Sequence, residues 1–194
     1  MTIDQILDGI LEREGWPQVT NRAADAGGLT RGGITFTSYE PWLRSKGQTI
    51  TPTDFVNITE EDAKAFLLDG IASSFMAVRG VNEALFVLMF DWATTSGPDD
   101  PVRGLQQILR GTGATIAVDG VYGQKTHLAL ITYISRGVVD VVDGLTKRLA
   151  KDRVAFYVRL ATDRDKAVAQ FRKDNPTTNL ENVNGWVNRA LEFV

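Results

Sequence analysis

The chain has 194 residues, 43% of them hydrophobic and 23% charged, with 21 Lys and Arg against 24 Asp and Glu and a formal net charge of −3. This composition excludes collagen-like, mucin-like and wholly disordered chains and fits one full domain, or two lobes sharing a core, that needs no staples. Cysteine is absent and His127 is the single histidine, so disulfides, thiolate metal centres and His-rich metal sites are excluded and no cofactor is expected.

The most apolar run, residues 81–93, is interrupted by Asn82, Glu83 and Asp91 and is shorter than the roughly 20 residues of a bilayer span, so no stable membrane insertion is expected. Asp4 and Asp8 stand where a secretory signal carries basic residues. The expectation is a protein that works inside the cell or is released by another agent. Residues 1–90 hold 7 basic and 12 acidic side chains, residues 91–194 hold 14 and 12. The basic excess is concentrated between Lys147 and Lys173, a stripe that either meets an anionic envelope surface or is simply a solvated helix face. Nucleic acid is not an expected partner, since the chain is acidic overall and carries no recognisable binding motif.

In chain order, Ile3, Ile6, Leu7, Ile10 and Leu11 predict an amphipathic helix over residues 2–14, stopped by Gly15 and Pro17. The polar stretch 18–35, with Gly27, Gly28, Gly32 and Gly33, predicts tight turns or a small β-hairpin. Residues 50–56 read as turn-rich, and Thr59 to Asp62 as a capping-box start for a helix facing Ala63, Phe66, Leu67 and Ile71 inward. Residues 81–95 form a central helix, ended by Gly97-Pro98, and Pro101 opens the next, with Leu105, Ile108 and Leu109 on its apolar face. Asp119-Gly120-x-Tyr122-Gly123 is an interhelical turn, residues 124–134 resume helical spacing, and residues 138–161 read as one long helix. A loop around Asn175-Pro176 then leads to a short last helix, packed through Trp186, Leu191 and Phe193. The fold class expected is mainly α with a small β element.

Glu14, at the end of the first helix and followed by a polar hairpin, suits glycosidic-bond hydrolysis, which needs a carboxylic acid to protonate the departing sugar oxygen. An apolar wall and the negative end of the helix dipole both favour a protonated carboxyl there. The second partner is a carboxylate or a group positioning water. Asp25 is placed for it, or it shapes an Asx-turn. Thr30 and Thr35 are candidates to hold water or sugar, or are strand residues. Trp16 and Tyr39 are candidate sugar-stacking rings, or core. Asp91, in the most apolar helix, is either a structural ion pair or a site residue. His127 is read as structural or exposed, and Trp186 with Arg189 as docking the last helix.

Glu14-Gly15 followed by Asp25-x-Gly27-Gly28-x-Thr30-x-x-Gly33-Ile34-Thr35 resembles the N-terminal signature of glycoside hydrolase family 108, N-acetylmuramidases common among phage endolysins. The likeness continues through Phe90-Asp91-x-Ala93, Ser96-Gly97-Pro98, Leu105-Gln106, Val118-Asp119-Gly120-x-x-Gly123-x-x-Thr126 and Gly185-Trp186-x-Asn188-Arg189. These stretches are similar to a C-terminal peptidoglycan-binding region. Four departures concern substrate fit. Trp16 replaces the second glycine of the Glu-Gly-Gly signature, the Glu14 to Asp25 spacing is longer, Arg22-Ala23 replaces Asp-Pro, and Thr95 replaces an asparagine.

The resemblance implies a lysozyme-like fold, with a catalytic part at residues 1–90 and a helical peptidoglycan-binding-like part at residues 91–194. It implies hydrolysis of the β-1,4 bond between N-acetylmuramic acid and N-acetylglucosamine, with Glu14 as general acid and Asp25 and Thr30 on the opposite face. Trp16, Thr35, Tyr39 and Asp91 are expected to contact substrate. Peptidoglycan glycan strands are the expected partner of a monomer made in a host cytoplasm and released to the wall, through a holin in the endolysin pattern. A lytic transglycosylase giving 1,6-anhydro products and a non-catalytic peptidoglycan-binding protein are the rivals.

Overall fold

The computed structural model describes residues 1–21, 28–136, 141–169 and 179–193. The chain forms two compact units, residues 1–73 and 74–194. The described residues are mainly helical, with one small antiparallel sheet, as the sequence predicts.

In the first unit, helix α1 (Ile3–Arg13) buries Ile6, Leu7, Ile10 and Leu11, the stripe read from the sequence. Its start is fixed by a capping box: the Thr2 side chain accepts from Gln5 N–H and the Gln5 side chain from Thr2 N–H. Strands β1 (Val19–Asn21), β2 (Leu29–Arg31) and β3 (Ile34–Thr35) pair in the order β1-β2-β3. Thr20 stands opposite Thr30, and Thr30 opposite Thr35, so three threonines cross the sheet on one face. The β2–β3 link has two residues, Gly32 (φ +50°) and Gly33 (φ +77°), both in the left-handed region that a tight hairpin of this hand requires.

Helix α2 (Phe36–Ser45) is an element the sequence reading did not anticipate, and Pro41 inside it masks its helical pattern. Helices α3 (Pro52–Phe55) and α4 (Glu60–Ala65) follow. The α4 start carries the expected Thr59–Asp62 box, and the chain continues through a π-helical segment, Phe66–Ile71. Phe36, Tyr39, Trp42, Phe55 and Phe66 form a contiguous aromatic cluster, with ring centroids 5.2–5.5 Å apart. It supplies much of this unit's core. Area-proportional burial of such large rings outweighs the helix-breaking cost of Pro41.

In the second unit, a short 3₁₀ segment leads to α5 (Ala77–Val81) and then to α6 (Glu83–Ser96), whose Leu85, Phe86 and Leu88 to Ala93 are buried on nearly every side. Asn82 caps α6 by accepting from Leu85 N–H at 2.6 Å. Helix α7 (Asp99–Gly111) begins two residues before Pro101, and α8 (Gln124–Ser135) matches its expected place. Helix α9 (Val141–Ala169) runs further than the predicted residues 138–161. The loop around Asn175-Pro176 lies outside the described residues. Helix α10 (Asn179–Leu191) packs through Trp186, against Tyr157 with ring centroids 5.5 Å apart, and through buried Ala190. Leu191 is 51% exposed, so it does not dock the last helix as the sequence reading supposed.

Candidate active site

Glu14 follows directly on α1, and the chain turns away there by a Schellman motif. The Gly15 N–H (φ +74°) donates to Glu12 O at 3.1 Å and the Trp16 N–H to Leu11 O at 3.0 Å. The Trp16–Pro17 peptide is cis, and Gln18 N–H donates back to Gly15 O at 2.9 Å. The chain then enters β1, and the Gly32 N–H donates to Gln18 O at 2.8 Å, which ties the β2–β3 turn to the end of α1.

That turn rests on Glu14 and Trp16. A methyl group at Gly33 would lie 2.5 Å from Glu14 Oε2, 2.7 Å from its Cβ and 2.8 Å from its Cγ. One at Gly32 would lie 2.5 Å from Trp16 Cε3 and 3.1 Å from its Cα. The two glycines thus satisfy two demands at once, a left-handed backbone and a surface with no side chain against the carboxylate. Glu14 is half-buried, held between the helix end and this turn.

Thr30 lies in the middle strand, and its hydroxyl donates to Gly28 O at 3.2 Å. Thr35, its cross-strand neighbour, caps α2: its Oγ1 accepts from Ser38 N–H at 3.2 Å and bonds Ser38 Oγ at 2.9 Å. The structure therefore brings Glu14, Thr30 and Thr35 onto one helix end and the hairpin beside it. Asp25 lies outside the described residues. Trp16 is half-buried, with the Arg31 guanidinium 4.8 Å from its ring centroid, a cation–π contact. Arg31 also donates from Nη1 to Val56 O, while its buried Nε has no partner among the described residues. Nothing in the sequence pattern singled out Arg31. Its role depends on a loop-to-sheet contact 25 residues apart.

Two expected substrate contacts are placed elsewhere. Tyr39 is 3% exposed inside the aromatic cluster, where no sugar face reaches it; burial, with Asp62 nearby, raises its phenol above the usual value. Asp91 is fully buried in the second unit and forms ion pairs with Arg153 Nη1 at 2.8 Å and, in two bonds of 2.8 Å, with Arg189. Burial pushes its carboxyl up, but the two guanidiniums, Arg189 foremost, outweigh this and hold it below the ordinary aspartate value. The ion-pair alternative raised by the sequence is the observed one.

Arg153 is 0% exposed, so it leaves the predicted basic stripe and becomes a core residue; Lys147, Arg148, Lys151 and Arg159 remain exposed on α9. The side chains of Arg164, Lys166, Arg172 and Lys173 lie outside the described residues. No group of three or more acidic or histidine side chains that could hold a metal occurs among the described residues.

The Asp119-Gly120 signature is organised by Gln106, a residue that the sequence reading quoted for the family resemblance but gave no role. Buried Gln106 donates from Nε2 to Asp119 Oδ1 (2.8 Å), Val121 O (3.0 Å) and Thr126 Oγ1 (3.1 Å). Its Oε1 accepts from Asp119 N–H (3.0 Å) and Gly120 N–H (2.9 Å). One carboxamide thus satisfies most of the turn's polar groups, while Gly120 takes φ +81°. His127, read as structural or exposed, is half-buried and bonds the Tyr122 hydroxyl through Nδ1 at 2.9 Å.

Residues 7–97 match the family model "Glycosyl hydrolase 108", and residues 100–191 match the model "Predicted Peptidoglycan domain". No curated protein sequence matches the chain. The structure of Brucella abortus SagA is similar to it over 98% of this chain and 94% of that chain, with a TM-score of 0.63 and 21% identity, a likeness of fold. No described helix is long and apolar enough to cross a membrane. The N-terminal part of the chain is therefore similar to the glycosyl hydrolase 108 family and the C-terminal part to a predicted peptidoglycan domain, a pairing that supports a glycoside hydrolase acting on the cell wall.

Proposed function

We propose that the chain is an N-acetylmuramidase, cleaving the β-1,4 bond between N-acetylmuramic acid and N-acetylglucosamine, with Glu14 as general acid. The observation that carries this reading is the closure of the Gly32-Gly33 turn on Glu14, which holds a half-buried carboxyl at the end of a helix within the matched hydrolase region. In the reaction Glu14 gives its proton to the glycosidic oxygen as the bond to the anomeric carbon breaks. Water adds to that carbon from the other side. Its proton passes to a second carboxylate, assigned to Asp25, with the Thr30 hydroxyl holding the water. A conformationally fixed acid suits this chemistry because proton transfer demands hydrogen-bond reach.

The test is mass spectrometry of the fragments released from purified peptidoglycan by the wild type and by Glu14→Gln. Reducing-end N-acetylmuramic acid products, reduced about 10²–10⁴-fold in the variant, are expected. Anhydro products would replace the hydrolase assignment by a transglycosylase, and release unaffected by Glu14→Gln would remove Glu14 from the mechanism.

A further inference from the structure

A groove of about 220 Å³ opens in the second unit between α7 and α9, far in sequence from Glu14. The floor is aromatic: Trp92 of α6 and Phe156 of α9 meet with ring centroids 5.6 Å apart. Gly104 lets α7 come down onto this floor, for a methyl group there would lie 2.9 Å from Leu149 Cδ1 and 3.1 Å from Trp92 Cζ3. The walls carry charge of both signs. Asp100 and Arg103 rise one turn apart on α7, and Asp152 and Arg159 two turns apart on α9.

Two groups here fit a ligand better than they fit the protein alone. Asp100 is half-buried, and burial raises its carboxyl above the ordinary value despite a bond from Ser96 and the nearby Arg103. Arg103 is held only loosely, 3.8 Å from Asp99 and 3.4 Å from Val118 O.

Size and charge together select the ligand. A volume of about 220 Å³ is below the roughly 300–1,000 Å³ of pockets that enclose a whole drug-sized molecule, so the groove takes one end of a chain and not a polymer backbone. A polyanion would gain from Arg103 and Arg159 only what it loses to Asp100 and Asp152, and a neutral sugar does not need two full charges of each sign. A ligand carrying one ammonium and one carboxylate close together satisfies both walls, and its apolar stem lies on the rings.

We propose that this groove binds the peptide part of peptidoglycan, taking the free amino-acid end, ammonium and carboxylate together, that a diamino acid leaves on a stem peptide. This rests on the cell-wall reading above. It deepens that reading by giving the second unit a peptide specificity that is independent of glycan cleavage.

The experiment is titration calorimetry of the full chain with the free tripeptide alanyl-γ-glutamyl-diaminopimelate, which has no glycosidic bond and so reads binding whether or not Glu14 is catalytic. Saturable binding is expected, weakened roughly tenfold by acetylating the side-chain amine of the diamino acid and by Asp100→Asn. Asp152→Asn, at a partly exposed position, serves as the second variant, with thermal melts confirming that both fold. Failure of the tripeptide to bind the wild type would overturn the proposal. So would equal binding by the acetylated peptide, or binding that neither variant changes. Binding of a peptide-free N-acetylglucosamine tetramer, weakened by the same two variants, would make the groove a sugar site instead.

Discussion

Gly33 offers a test of whether the hairpin turn holds Glu14, because a second glycine provides a matched control. Gly33 has φ +77° and Gly47 has φ +76°, so alanine at either position pays the same left-handed backbone penalty, about 1–2 kcal/mol. A new methyl group at Gly47 meets nothing within 4 Å, whereas at Gly33 it meets Glu14 Oε2, Cβ and Cγ at 2.5–2.8 Å. Relief of such an overlap costs about 1–3 kcal/mol more and moves the Glu14 side chain. A displacement near 1 Å of a catalytic group costs about 10²-fold in rate. Gly33→Ala is therefore expected to lose about 2–5 kcal/mol of stability and about two orders of magnitude in fragment release. Gly47→Ala should lose only the backbone part and keep its activity. Urea unfolding and timed release of soluble fragments from purified walls measure both. Equal stability losses with equal retained activities would refute the contact between the turn and Glu14 as the device that sets the acid.

Asp91 and Gln106 give two further predictions in the second unit. Replacing Asp91 by Asn leaves Arg153 and Arg189 without their carboxylate and is expected to cost about 3–5 kcal/mol at neutral pH. Because the folded-state value of Asp91 is lowered, its stabilisation is complete above the unfolded value of about 3.9 and is lost as pH falls through the folded value. The stability gap between wild type and Asp91→Asn should therefore narrow in strong acid, and a gap that is the same at neutral and low pH would show that the ion pairs do not stabilise the fold. Gln106→Leu strands the Asp119 and Gly120 N–H groups and is expected to cost about 2–5 kcal/mol, with faster hydrogen exchange at the Gly120 amide. An exchange rate unchanged at Gly120 would show that the turn holds its shape without the carboxamide.

Local periodicity and punctuation were enough to read α1, the hairpin region, the central α6 and the turn before α8, because each depends on neighbours within a few residues. The place of Glu14 at a helix end was legible for the same reason, since the stripe and stop signals are contiguous, while its reading as an acid rests on the family resemblance. Helix α2 was not, since Pro41 breaks the local pattern and only the aromatic cluster, gathered from residues 36–66, makes the helix worth forming. The choice that the sequence leaves open for Tyr39, sugar-stacking ring or core, turns on the same long-range information, and Arg153 reads locally as one more member of a charged stripe. Their places were set by partners far along the chain: Phe55 and Phe66 for Tyr39, and Asp91, 62 residues away, for Arg153.

The sequence by itself determined the helical class, the family motif and the position of the candidate acid, because short-range spacing and glycine placement encode them directly. Tertiary structure alone decided that Gly33 presses on Glu14, that Asp91 is an ion-paired core residue, and that one glutamine holds the Asp119-Gly120 turn. It also decided that charges from α7 and α9 share one groove. Each of these depends on burial and on contacts between distant segments, where desolvation makes a charge or a missing methyl group count far more than it does in a solvated chain.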